Sequence, residues 1–267
     1  MLANFHTHTT YCDGKSTPEE VVQAAIELGF TALGFSGHGY TPFDLHYCMK
    51  DTEGYLAEIA RLREKYRDRI CILAGVEEDA FAPVERSRFD YVIGSSHYIM
   101  IDGRYLPIDS GHDLFLDCLR ACGGDVLTLA ENYYGSFCRY LKARKPDIIG
   151  HFDLITKYDE VGEPIFRDHV AYHRLSRAYA AQAAETGCVF EVNTGAISRG
   201  YRTVAYPSDE ILYLLKQENA RLILSADSHH AQTLTTAFAQ TADRLYEIGY
   251  RQIWTLTEEG FVPVPLR

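Results

Sequence analysis

Short apolar runs alternate with longer amphipathic stretches along almost the whole chain. The runs predict strands over residues 3–6, 32–36, 70–76, 91–95, 148–151, 189–192 and 222–226, with an eighth short run at 252–256. Strands separated by helical segments pair in parallel, because each helix carries the chain back to the same end of the sheet. The helices have readable punctuation. Thr17-Pro18-Glu19-Glu20 is a capping box with Pro at the first helical position, Val21, Val22, Ala25, Ile26 and Leu28 form the apolar stripe, and Gly29 stops the helix. Tyr55, Leu56, Ile59 and Leu62 repeat the stripe, as do Leu114, Phe115, Cys118 and Leu119. Pro207-Ser208-Asp209-Glu210 opens a further helix with Ile211, Leu212, Leu214 and Leu215 inward. The interval 100–147 has no strand candidate. It reads as one or two helices, including a polar stretch with Tyr133, Tyr134 and Tyr140, plus an irregular loop over a barrel mouth.

A chain of 267 residues accommodates one α/β barrel or two small domains. There is no composition shift, low-complexity segment or charge run to mark a boundary, so one domain over 1–267 is expected.

The ends of the predicted strands carry one residue type after another that ligates metals. His6 and His8 come from NFHTHTTYCDG, with Asp13 in the loop that follows. His38 lies in FSGHG, Glu77 in LAGVEED, His97 in GSSHY, His151 in IIGHFD, and Asp227 and His229 in LSADSHH. In a parallel barrel the functional groups come from the C-terminal ends of the strands. Side chains two apart on extended backbone point the same way, so His6 and His8, and likewise Asp227 and His229, can face one centre. Any one of these residues alone has a structural explanation; their joint placement does not. His46, His112, His169 and His173 lack it, and the i, i+4 pair His169 and His173 reads as a solvated helix face.

Imidazole and carboxylate together suit Zn, Mn, Fe or Co in a hydrolytic site, whereas Ca and Mg prefer oxygen cages. Nine ligands exceed the needs of one tetrahedral zinc, so two or three ions sharing a bridging carboxylate is the simplest account. Three divalent ions with three ionised carboxylates would leave about +3. Such a site draws in a small phosphorylated substrate even though the chain carries a net charge of −11. That acidity argues against nucleic acid as a partner. No apolar stretch is long enough for a membrane span. No signal peptide is visible, and the seven Cys are irregularly spaced without a CxxC pair, as free thiols in a reducing compartment are, so a cytoplasmic location is expected. The sequence carries no signal of oligomeric state.

The segments HTHTTYCDG, SGHG, GVEED, SSH, GHFD and ADSH resemble the successive motifs of the PHP (polymerase and histidinol phosphatase) superfamily over nearly the full length. EVNTGAISR and GHFDLITKYDE are most similar to its stand-alone histidinol-phosphatases of histidine biosynthesis. The resemblance implies an α/β fold, a distorted (β/α)7 barrel with a trinuclear metal centre at the C-terminal strand ends. It groups His6, His8, Glu77 and Asp227 around one ion. Glu77 bridges to a second held by His97 and His151, and Asp13, His38 and His229 hold the third. It also implies hydrolysis of L-histidinol phosphate to L-histidinol and phosphate, with a metal-bridging hydroxide held by Glu77, His97 and His151. Arg199, after the sixth strand, is the candidate phosphate clamp, because a guanidinium grips two oxygens at once. Lys157 is a second cationic candidate and His230 a candidate acid for the leaving group. Asp44, Asp109 and Tyr134 are candidates for recognising the rest of the substrate. The superfamily also contains phosphotyrosine, nucleotide and general phosphoesterases, and non-catalytic modules in some polymerases. The intact ligand set argues against the last of these.

Overall fold

The computed structural model describes residues 2–266. In chain order its elements are β1 (Ala3–Asn4), α1 (Pro18–Glu27), β2 (Ala32–Phe35), α2 (Thr52–Tyr66), β3 (Cys71–Asp79), β4 (Tyr91–Ser95), β5 (Tyr98–Ile101), β6 (Arg104–Pro107), α3 (His112–Ala121), α4 (Val126–Arg144), β7 (Ile148–Ile149), α5 (Val170–Ala184), β8 (Val189–Asn193), α6 (Gly195–Ser198), α7 (Asp209–Gln217), β9 (Leu222–Ser225), α8 (Phe238–Ile248), β10 (Gln252–Thr257) and β11 (Gly260–Pro265). The main sheet runs β1-β2-β3-β4-β7-β8-β9-β10-β11. The seven strands β1 to β9 in that order are all parallel. The first and last of them meet just beyond their ends. A parallel bridge joins Thr7 to Ser228, with His8 N–H donating to Ser228 O at 2.8 Å and Ser228 N–H to His6 O at 3.0 Å. The fold is the distorted seven-stranded β/α barrel the motifs implied.

Burial on both faces explains the strand sequences. Ile72, Leu73, Ala74 and Val76 of β3 are all buried, the near-continuous apolar run of a parallel strand covered by helices. The helix α1 forms as its capping box dictates: Glu20 N–H donates to Thr17 Oγ1 at 3.3 Å and Thr17 N–H to Glu20 Oε2 at 2.7 Å. It buries Val21, Val22 and Ala25 against Ile59 and Leu62 of α2 and Ile72 of β3. Inside the barrel, Phe5, Leu73, Tyr91, Ile93, Ile148, Val189 and Ile223 form a separate core. Tyr91 fits there because Gly34 and Gly75 leave room for its ring; a Cβ on either would come within 2.3 Å of it. Its hydroxyl donates to Phe5 O at 2.6 Å and lies 3.0 Å from Phe35 O.

Three features depart from the sequence reading. The segment leading into the 100–147 interval is a regular two-stranded hairpin, β5 paired antiparallel with β6, rather than an irregular loop. Its turn is Asp102-Gly103, both at positive φ, a hairpin signal in the sequence. The interval then supplies the two expected helices, but α4 is not polar: Tyr133, Tyr134 and Phe137 are fully buried and Tyr140 nearly so. Tyrosine reads as half-polar by composition; here each ring fills the core while Tyr133 and Tyr140 donate to Phe152 O and Glu78 Oε1. The run at 252–256 pairs outside the barrel, parallel to β9 and antiparallel to β11, a strand the sequence reading omitted. Among the described residues no helix is long and apolar enough to cross a membrane.

Candidate metal and phosphate site

The nine strand-end residues converge at one end of the barrel. His6 and His8 follow β1, His38 follows β2, Glu77 lies near the C-terminal end of β3, His97 follows β4, His151 follows β7, and Asp227 and His229 follow β9. Glu77 is the hub. Its Oε2 lies 2.9 Å from His38 Nδ1, 3.2 Å from His6 Nε2 and 3.5 Å from His8 Nε2. Its Oε1 lies 2.9 Å from His151 Nε2 and 3.3 Å from His97 Nε2. Asp227 Oδ1 faces His8 Nε2 at 3.2 Å, and Asp13 Oδ2 faces His229 Nε2 at 3.2 Å.

The nine fall into four overlapping sets whose ligand atoms lie within 4.8 Å of one another: His8, Asp13, His38 and His229; His6, Glu77 and His151; His6, His8 and Asp227; and His38, Glu77 and His97. These sets share members more freely than the three-way partition the resemblance implies, and His8 belongs both with Asp227 and with Asp13. Although His6 Nε2, His8 Nε2, Asp13 Oδ1 and Glu77 Oε2 crowd each other, all four are buried without a hydrogen-bond partner. Burying such groups unmade costs about 1–3 kcal/mol each, a penalty that cations seated among them would remove. The residues fit divalent metal ions.

Charge coupling is strong throughout. Burial disfavours the ionised Glu77, but His6, His38, His97 and the His151 hydrogen bond outweigh it and hold the carboxyl well below its ordinary range. Asp227 and Asp13 are likewise depressed against burial, the first chiefly by Arg199 and His6, the second by His38 and His229. His6, His38 and His97 are raised in spite of burial, His6 chiefly by Glu191 and Glu77, and the other two chiefly by Glu77. His8 goes the other way, down to about 3, because burial and the neighbouring His229 and His38 all oppose its charge.

Two backbone features build this geometry. Asp227 sits at φ +47, so Asp227 and His229 reach the centre through a left-handed residue rather than through simple strand alternation. Gly195 lies so close that a Cβ there would stand 2.7 Å from Asp227 Oδ2 and 2.8 Å from Arg199 Nη2.

A cavity of about 490 Å³ opens over the cluster, lined by its outer members together with Arg199, Lys157, Asp44, Asp109, Tyr47 and Tyr201. Arg199 donates from Nη2 to Asp227 Oδ2 at 2.9 Å. Lys157 is tied to Asp109, donating to its backbone carbonyl at 2.7 Å with Oδ2 at 3.6 Å. His46 also lines the cavity, although it does not follow a strand. Two candidates fall outside. His230 is exposed and does not line the cavity. Tyr134 is fully buried, its hydroxyl paired with that of Tyr172 at 2.8 Å. His169 caps α5 by accepting from Tyr172 N–H, and His173 pairs with Glu210, so neither joins the cluster. The sequence reading missed Glu191 and Asp79, which back His6 and His97. The available signal was a carboxylate inside each apolar strand, in VFEVN and in GVEED.

With this barrel and cluster in place, comparison with known proteins is direct. A model of the PHP domain matches residues 4–195, and the chain belongs to that family. Among its curated relatives, a Schizosaccharomyces pombe protein named "Probable histidinol-phosphatase" is 30% identical over 86% of this chain and 81% of the relative. The histidinol-phosphatase of Bacillus subtilis is 26% identical over 90% of this chain and 97% of its own length. The fold is similar to that of Lactococcus lactis histidinol phosphate phosphatase, crystallised with Zn, L-histidinol and phosphate. The TM-score is 0.70, with 19% identity over 97% of this chain and 98% of the other.

Proposed function

We propose that the chain is a metal-dependent histidinol-phosphatase, hydrolysing L-histidinol phosphate to L-histidinol and phosphate. The observation that carries this reading is the set of crowded, buried, unpartnered ligand atoms around Glu77, open to a cavity that also contains Arg199 and Lys157. Its support beyond the geometry is the naming of the relatives over nearly the whole chain and the ligands of the Lactococcus lactis crystal.

In this reading His6, His8, Asp13, His38, Glu77, His97, His151, Asp227 and His229 would hold three divalent ions. When bound, such ions lower the pKa of a water, polarise phosphoryl oxygens and orient the ester. The remaining work falls to side chains. Arg199 keeps Asp227 ionised and presents guanidinium edge to the phosphate. Lys157 adds a positive charge at the cavity wall, steadied between Asp109 and the Tyr201 face, 4.9 Å from its ring centre. Asp44 and Asp109 offer carboxylates to the substrate's ammonium, and Tyr47 and Tyr201 offer ring faces to its imidazole. Asp109 is held below its ordinary pKa against burial by Lys157 and the cluster histidines, so it meets the ammonium as an anion.

The test is a substrate panel with metal content measured on the same sample. Histidinol phosphate should exceed p-nitrophenyl phosphate, phosphotyrosine and nucleoside monophosphates in kcat/KM, on protein holding two or more metal equivalents. A kcat/KM for histidinol phosphate no better than for p-nitrophenyl phosphate removes the substrate claim and leaves a general phosphoesterase.

A further inference from the structure

Glu191 is fully buried in the middle of β8, on a strand that supplies no ligand to the cluster. Every polar contact it makes leads to the site or braces itself. His6 Nδ1 lies 2.6 Å from Oε1. The backbone N–H of His151 donates to Oε2 at 2.8 Å, and Asn193 Nδ2 donates to Oε2 at 2.9 Å. Asn193 Oδ1 in turn accepts from Gly195 N–H at 2.8 Å, the glycine packed against Asp227 and Arg199.

We infer that Glu191 is a positioning residue for the cluster, fixing His6 and His151 together from β8, the strand next to β7 and across β9 from β1. An ionised carboxylate only accepts, so a hydrogen bond at 2.6 Å puts the His6 ring proton on Nδ1. Nε2, the atom that faces Glu77 and Asp227, is then the one left to meet a cation once its own proton is displaced. The same carboxylate anchors the His151 backbone, whose ring Nδ1 has no partner of its own. One buried acid thus fixes the ring orientation of a residue after β1 and the main-chain position of a residue after β7. Asp79 backs His97 in a similar way, accepting from its N–H at 2.9 Å with Nδ1 at 3.2 Å. Glu191 differs in serving two ligands at once.

This inference rests on the proposed metal site, and the experiment separates the two. Metal-free protein is titrated with Zn²⁺ against a chromophoric chelator, and its melting is followed without metal. Glu191→Gln keeps the size of the side chain but loses the charge and one acceptor. It should weaken Zn²⁺ binding by about 10–100-fold, and metal-free melting should also fall somewhat, because the carboxylate that raises His6 is gone. Glu191→Asp keeps the charge on an arm too short for both His6 and His151, and should fall between. Equal affinity in wild type and Glu191→Gln overturns the inference, as does lost metal-free stability at unchanged affinity. If Glu191→Gln does not fold, Glu191→Asp decides on the same criterion. Wild-type protein binding fewer than two equivalents would instead overturn the metal site itself.

Discussion

The Arg199 guanidinium holds Asp227 at two points, Nη1 donating to its backbone carbonyl at 3.0 Å and Nη2 to Oδ2 at 2.9 Å. Asp227 needs holding: its φ of +47 is a conformation that costs a non-glycine residue about 1 kcal/mol or more. A lysine in place of Arg199 keeps the charge but has no planar fork, so it cannot make both bonds and still face a phosphate. Arg199→Lys should lower kcat/KM on histidinol phosphate by about a hundredfold, the scale of losing one fixed donor to a reacting oxyanion. Steady-state kinetics check it; activity within threefold of wild type would mean that the fork is not used.

Gly195 is where the same pair leaves no space. The added Cβ of Gly195→Ala would stand 2.7 Å from Asp227 Oδ2 and 2.8 Å from Arg199 Nη2, too close for either to remain in place. Overpacking of this kind costs about 1–3 kcal/mol. The variant should fold with a modestly lowered Tm yet lose most activity, because the displaced atoms are those of the site. Full activity with a lowered Tm would show that the pair can shift freely.

The charge coupling predicts opposite pH trends for metal-free and metal-loaded protein. His6, His38 and His97 have raised values in the fold. Their stabilising contribution is therefore complete below the unfolded value of about 6.5 and is lost as pH rises through the raised values. Glu77, Asp13 and Asp227 are depressed, so theirs is present above about pH 4 and lost on acidification. His8, lowered to about 3, opposes folding in acid, one ring against three. Metal-free protein should melt highest near about pH 5–6 and less high towards pH 9. A metal must displace the ring protons, so the Tm gain on adding Zn²⁺ should grow over the same interval. Melting curves across pH with chelator and with Zn²⁺ test both trends; a pH-independent gain would contradict proton displacement.

How much of this was legible in the sequence depended on range. The barrel was, because the runs 71–76 in β3 and 91–94 in β4 are apolar, and parallel strands buried on both faces leave that local signature. The convergence of the nine candidate residues was, because each lies near a strand end in a short motif, and bringing His6 to Glu77 and Asp227 needed only the barrel's closure. Glu191 was not, because its partners His6 and His151 are 185 and 40 residues away. His230 misled because adjacency to His229 says nothing about direction: the chain turns there, and the ring is exposed. Tyr134 misled because a tyrosine near a predicted mouth looks like a binding face, whereas its hydroxyl is satisfied by Tyr172 inside the core.

His8 tests the cluster most directly. Its ring is fully buried, its Nε2 lies 3.2 Å from Asp227 Oδ1 and 3.5 Å from Glu77 Oε2, and it makes no hydrogen bond there. His8→Ala should abolish measurable turnover while leaving the circular dichroism spectrum near wild type. Retention of more than a tenth of kcat/KM, a loss under about 1.4 kcal/mol, would count against its place in the site.

Tyr91 gives a prediction on the other side of the barrel's division of labour. Its hydroxyl serves Phe5 O and Phe35 O, the strand ends immediately before His6 and shortly before His38. Tyr91→Phe removes that donor without creating a cavity, leaving buried carbonyls short of a partner. The cost should be about 1–3 kcal/mol, or a Tm lowered by several degrees for a chain of this length. Because the ring still fills the space beside Gly34 and Gly75, the ligands should keep their positions. Metal stoichiometry and KM should therefore stay near wild type while thermal stability falls. An unchanged Tm would mean that the strand ends find other donors, and a large loss of bound metal would mean that this hydroxyl sets the ligand positions as well as the barrel's stability.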